Sequence, residues 1–180
     1  EQLRRANVAT YAIDPRGTTE RVLARLRPLW RLARAHGAQV HVDMESHATK
    51  DLSLAIFREI AMEEEFRDWP HCGIVVQCYL RESLRDLEAL AEWARNRGTP
   101  VWIRLVKGAY WDSEIKRAQV DGTVDYPVFT RKAHTDVSYI ACAKRLLECA
   151  DALYPQFATH NAMTLALVEA IAGPYRDYEF

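Results

Sequence analysis

The strongest constraint on the fold is a repeated alternation: short apolar runs, three of them rich in valine and isoleucine, are separated by longer stretches of helical periodicity. Residues 38–44, AQVHVDM, make the first run, with Val40 and Val42 on one face and His41 and Asp43 on the other. GIVVQCY (73–79), the run from Pro100 to Val106 and the stretch from Tyr154 to Ala158 follow. Between them, apolar residues recur at helical spacing: Val22, Leu23, Leu26, Leu29, Trp30 and Ala33; then Leu52, Ile56 and Ile60; then Leu87, Leu90, Ala91 and Ala94. Val137, Ile140, Ala141, Ala143, Leu146 and Leu147 mark a long helix, and Leu165, Leu167, Val168 and Ile171 a last one. A polar helix is expected from Ser113 to Gln119. Asp14-Pro15-Arg16-Gly17 reads as a turn, Gly37 as a C-cap, Thr49 as an N-cap and Ser83-x-x-Asp86 as a capping box.

Near-continuous apolar strands alternating with helices imply a parallel sheet covered by helices. Units of roughly 30 to 50 residues suit a TIM-type (βα)8 barrel. A doubly wound sheet is the alternative, but no G-x-G-x-x-G follows any of the runs. The expected fold is therefore α/β, a TIM-type barrel that is incomplete here: four strands, with Tyr178 opening a fifth. Residues 1–17 stay unassigned and 18–180 form the partial barrel. Both ends read as cut.

The chain has 180 residues and a net charge of -1, so nothing global attracts nucleic acid or anionic lipid. No run reaches the roughly 18 apolar residues of a membrane span. The N-terminus has no apolar core of a signal peptide, and a cytosolic location is expected. Cys72, Cys78, Cys142 and Cys149 form no C-x-x-C pair and read as buried thiols.

In a barrel, function gathers at the strand C-termini. The polar residues there are Asp43 with Glu45, Gln77, Arg104 with Lys107, and Thr159-His160-Asn161. Arg104 lies within an apolar strand, where an unpaired guanidinium is costly. It is either an interior ion pair with Asp43 or Glu45, or a donor aimed at a ligand. Lys107-Gly108-Ala109 adds positive charge where backbone can approach a ligand closely. Two other readings remain open: a metal site built on His41, Asp43 and Glu45 with His160, as in a metal-dependent hydrolase, or a hydrolytic acid–base pair of Asp43 and Glu45. Tyr110, Trp111 and Tyr126 could be core or a cofactor wall.

Six segments carry a family resemblance: HVDMES (41–46), VVQCY (75–79), IRLVKGAYWDSEIKRAQ (103–119), YPVFTRK (126–132), TDVSYIACAKRLL (135–147) and YPQFATHNAMTL (154–165). They resemble the proline dehydrogenase domain from about Thr18 onward. The uninterrupted KGAYWDSEIKRAQ is more similar to the bifunctional proline utilisation proteins, which join that domain to a pyrroline-5-carboxylate dehydrogenase. The resemblance implies a distorted (βα)8 barrel binding FAD without a covalent link. It implies oxidation of L-proline to Δ1-pyrroline-5-carboxylate, with hydride passed to the flavin and electrons to a membrane quinone. NAD belongs only to a fused aldehyde dehydrogenase module outside this chain. The parent would be cytoplasmic, with room for peripheral association at the inner face of the membrane and for oligomerisation.

By that resemblance, Asp43 and Arg104 match the active-site pair, with Arg104 near the flavin N5. Met44, Gln77, Lys107, Gly108, Ala109, Thr159 and His160 match flavin contacts, with Tyr110, Trp111 and Asn161 beside them. Two departures stand out. The family's substrate lysine has no counterpart in Glu1 to Arg16, and its carboxylate-clamping arginine pair would lie beyond Phe180. This segment alone is therefore expected to be inactive. A catalytically silent scaffold segment is the alternative from a different class.

Overall fold

The structure is a computed structural model that describes residues 14–180. Helix α1 (Pro15–Ala35) leads to strand β1 (Val40–Val42) and helix α2 (His47–Met62). Strand β2 (Cys72–Gln77), helix α3 (Ser83–Arg97) and strand β3 (Val101–Val106) follow. Next come helices α4 (Trp111–Val120) and α5 (Lys132–Glu148), strand β4 (Leu153–Phe157) and helix α6 (Ala162–Ala172).

The four strands form one parallel sheet in the order β1-β2-β3-β4. Each consecutive pair is joined through a helix, the connection a parallel pair requires. The opening of a fifth strand is present: Glu179 bridges Gln156 in parallel sense, with Phe157 N–H donating to the Glu179 carbonyl at 2.8 Å.

Strand alternation separates two environments. Val101, Ile103 and Leu105 are fully buried beneath the helices, whereas Trp102, Arg104 and Val106 on the other face are half-buried. The strand register arranges this inner face in rows. His41, Gly73, Trp102 and Tyr154 align across all four strands; Val75, Arg104 and Gln156 form the next row, and Gln77 and Val106 the row nearest the strand C-termini. These rows correspond to the layered interior of a (βα) barrel. The first is filled by aromatic rings: Trp102 lies 4.5 Å from Tyr154 and 6.1 Å from His41. Gly73 makes room for that filling, since a Cβ there would fall 2.7 Å from the imidazole of His41.

Several local expectations are corrected. Asp14-Pro15 is the start of α1: the Asp14 carboxylate accepts from Gly17 N–H at 2.8 Å and Pro15 takes the first helical position. Helix α2 starts at His47, because Ser46 holds the extended backbone of an N-cap while Thr49 bonds back to the Ser46 carbonyl. The predicted capping box does not form. Ser83 is already helical, and Asp86 is taken by Lys50, whose buried ammonium sits 2.6 Å from both Asp86 and Glu82. Tertiary ion pairing wins over local capping there. Leu29, Val137, Ala141, Leu167 and Ile171 of the helically spaced apolar residues face out. All four cysteines are buried and unbridged.

Beneath the sheet, Arg97 organises the turn between α2 and β2. Its buried guanidinium donates to the carbonyls of Ala61, Phe66 and Trp69 at 2.7–2.9 Å. Arg97→Met keeps the length but removes the charged donor shared by three carbonyls. It is expected to destabilise the fold by about 3 kcal/mol, read as a lower urea midpoint by tryptophan fluorescence, since Trp69 and Trp93 report on this corner.

Candidate active site

At the C-terminal ends of the strands lies a cavity of about 640 Å³. Asp43 and Met44 reach it from the segment after β1, and Val75 and Gln77 from β2. β3 and the loop after it supply Arg104, Val106, Lys107, Gly108, Ala109 and Tyr110. The segment after β4 adds Ala158, Thr159, His160 and Asn161, and Lys132 closes the ring from the start of α5. Strand-end polar residues of four separate βα units thus meet at one mouth.

Several of the polar side chains are held by nameable contacts. Asp43 accepts from Met44 N–H at 2.9 Å. Gln77, nearly fully buried, donates to the Glu45 carbonyl at 2.8 Å and so ties the β1 loop to β2. Lys107 and Lys132 both reach Asp136, each at 2.6 Å, one to each carboxylate oxygen. Lys107 first, then Lys132, holds the Asp136 carboxyl below the usual carboxylate range. Asn161 caps α6, its side-chain oxygen accepting from Thr164 N–H at 2.9 Å.

Arg104 differs from these. Among the described residues its guanidinium makes no hydrogen bond or ion pair, so the interior pair with Asp43 or Glu45 does not form. Its charge is felt all the same: burial first, and Arg104 second, hold the His41 imidazole below its ordinary pKa. His41 itself belongs to the aromatic row further down the strands, away from the cavity. Among the described residues no group of three or more His, Cys, Asp and Glu side chains is placed to hold a metal ion, so the metal-site alternative is not assembled.

Trp111 is the one predicted contact that lies outside this cavity. Its indole N–H donates to the Phe129 carbonyl at 2.8 Å, and the ring lines a neighbouring cavity of about 470 Å³. Lys107, Gly108 and Lys132 form the wall common to both cavities. Lys132 is not marked by the sequence as a site residue, although it stands in YPVFTRK with Asp136 four residues on, the spacing of a helical ion pair. Val75, Val106 and Ala158 also line the cavity, and nothing in an apolar run marks which face does so.

A family model described as proline dehydrogenase matches residues 2–180. The chain belongs to the proline dehydrogenase family. It is 46% identical over 154 residues to the bifunctional protein PutA of Escherichia coli, a match covering 86% of this chain and 12% of that protein. It is 28% identical to proline dehydrogenase 1 of Bacillus subtilis, over 89% of this chain and 47% of the relative. Among solved structures, a PutA from Bdellovibrio bacteriovorus inactivated by N-propargylglycine superposes with a TM-score of 0.84 at 45% identity, covering 87% of this chain and 16% of that one. The chain therefore spans about an eighth of the PutA relatives' length, and the parallel sheet described above is the corresponding part of a TIM-type barrel.

Proposed function

We propose that this chain is the flavin-cradling part of a proline dehydrogenase barrel, whose full protein oxidises L-proline to Δ1-pyrroline-5-carboxylate by hydride transfer to FAD. The observation that carries the reading is the Arg104 guanidinium in the inner face of the sheet, without a hydrogen bond or ion pair among the described residues, facing a cavity walled by Lys107 and Lys132. A cation held without a carboxylate in such a place suits an anionic or polarisable ligand.

The residues present fit an isoalloxazine ring. Cationic donors stand on one wall, apolar Val75, Val106 and Met44 offer a surface for a flat ring, and the glycine at 108 keeps the β3 loop open to close approach. When bound, the flavin supplies the hydride acceptor. Arg104 would hydrogen-bond near its N5, and Lys107 with Gly108 and Ala109 would hold the pyrimidine edge, where positive charge favours reduction. Met44, Gln77, Thr159 and His160 would complete the cradle, with Tyr110 beside them. Asp43 would orient groups at the reacting face. Asn161 acts through the cap of α6, and Trp111 through the Phe129 carbonyl.

The bifunctional relatives support a longer parent, and its second activity is proposed to be a NAD-linked aldehyde dehydrogenase module outside this chain. A quinone as electron acceptor, peripheral membrane contact and oligomerisation belong to that parent. No described helix is long and apolar enough to cross a membrane. The isolated segment is proposed to be inactive, for want of the groups that grip proline. The full-length protein should be purified and tested for flavin absorbance that bleaches with L-proline. Absence of flavin after reconstitution would instead favour the silent-scaffold reading.

A further inference from the structure

Helix α2 has an unusual start. Its N-cap Ser46 makes no side-chain capping bond, and no acidic residue stands in its first turn. The missing cap comes from a different element. Glu114 of α4, only 3% exposed, accepts from the His47 backbone N–H at 2.8 Å across 67 residues of sequence. Glu114 also lies in the first turn of its own helix, its N–H bonded to the Tyr110 carbonyl at 3.0 Å. One buried carboxylate therefore sits at two helix N-termini, where the macrodipoles favour negative charge.

Both helices begin where a cavity loop ends. The Asp43–Ser46 segment runs directly into α2, and Lys107–Tyr110 runs directly into α4. We infer that Glu114 is a positioning residue of the site, locking the loop that carries Asp43 and Met44 to the loop that carries Lys107 and Tyr110. Glu114 is absent from the lining of that cavity, so it acts through the two loops and not on the ligand. The inference rests on the flavin reading above. Misplacement of site groups by about 1 Å is enough to cost substantial activity.

The test uses the full-length protein, stripped of flavin and titrated with FAD by fluorescence quenching. Glu114→Ala is expected to raise the FAD Kd roughly fivefold to tenfold and to lower kcat with proline. Glu114→Gln, which keeps an acceptor, should stay near wild type. Asp14→Ala removes the cap of α1, whose N-terminus lies outside the cavity lining, and should lower stability without moving the Kd. Should Glu114→Ala fold poorly, His47→Pro breaks the same bond from the donor side. Proline suits the first helical position, and Ser46 already has the extended backbone a following proline demands. Wild-type FAD affinity in both Glu114→Ala and His47→Pro would overturn the inference. A wild-type protein that binds no FAD overturns the flavin reading itself, and this inference with it.

Discussion

In the full-length protein, Arg104→Met is expected to lower proline-dependent dye reduction by about a thousandfold while leaving thermal stability at or above that of the wild type. The two halves of this result have separate causes. Arg104 stands in register with Val75 and Gln156 on the inner face, and its guanidinium has no partner among the described residues. Removing it therefore leaves no acceptor or carboxylate unpaired. Methionine has a similar length and no charge to keep hydrated, so the strand ladder of β3 is untouched. Had Arg104 been paired with Asp43 in the interior, the same change would cost about 3–5 kcal/mol through the stranded carboxylate. The activity loss follows from deleting a preorganised cationic donor at the reacting centre, where a single donor is typically worth a factor of about 100 to 1,000. Stopped-flow reduction with proline and a thermal melt on the same preparations read both halves. A destabilised but active variant would reverse the assignment.

The backbone plan was legible because it follows from periodicity. Apolar runs set the four strands to within a residue or two of their observed ends, and the polar residues closing those runs are the ones that converge on the cavity. That convergence is a consequence of parallel topology: every strand C-terminus points the same way, so Gln77 and His160 meet although they are far apart in sequence. What stayed hidden depended on partners from other elements. The sequence reads Ser83-x-x-Asp86 as a local cap, but the Lys50 ammonium claims Asp86 from a different helix. Glu114 looks like part of a solvated helix face, yet it is buried as the cap of α2. Nothing in the sequence marks Lys132 as a site residue, yet Asp136 draws it beside Lys107. That Arg104 meets no carboxylate among the described residues was equally unreadable, since alternation places it on a face without saying what stands opposite.

Gly108→Ala is expected to abolish stable flavin retention, with flavin absorbance per protein falling at least about tenfold after gel filtration. Gly108 has φ +117°, a backbone conformation that side chains of L-residues rarely adopt. Space is the second obstacle. A Cβ at this position would fall 2.4 Å from the Tyr79 ring, and its three nearest neighbours are all atoms of that ring. Tyr79 cannot swing aside, because it is buried and its backbone is clamped on both sides. Its N–H donates to the Lys107 carbonyl at 2.7 Å, and its carbonyl accepts from Phe129 N–H at 2.8 Å. The loop itself must therefore move, and it carries Lys107, Ala109 and Tyr110 away from the cavity wall with it. The double variant Tyr79→Leu with Gly108→Ala separates the two obstacles, since it removes the ring but leaves the backbone strain. Partial recovery of flavin in the double variant assigns that part of the loss to the collision, and no recovery assigns all of it to the backbone. Undiminished flavin in Gly108→Ala alone would mean that this loop is not what holds the cofactor.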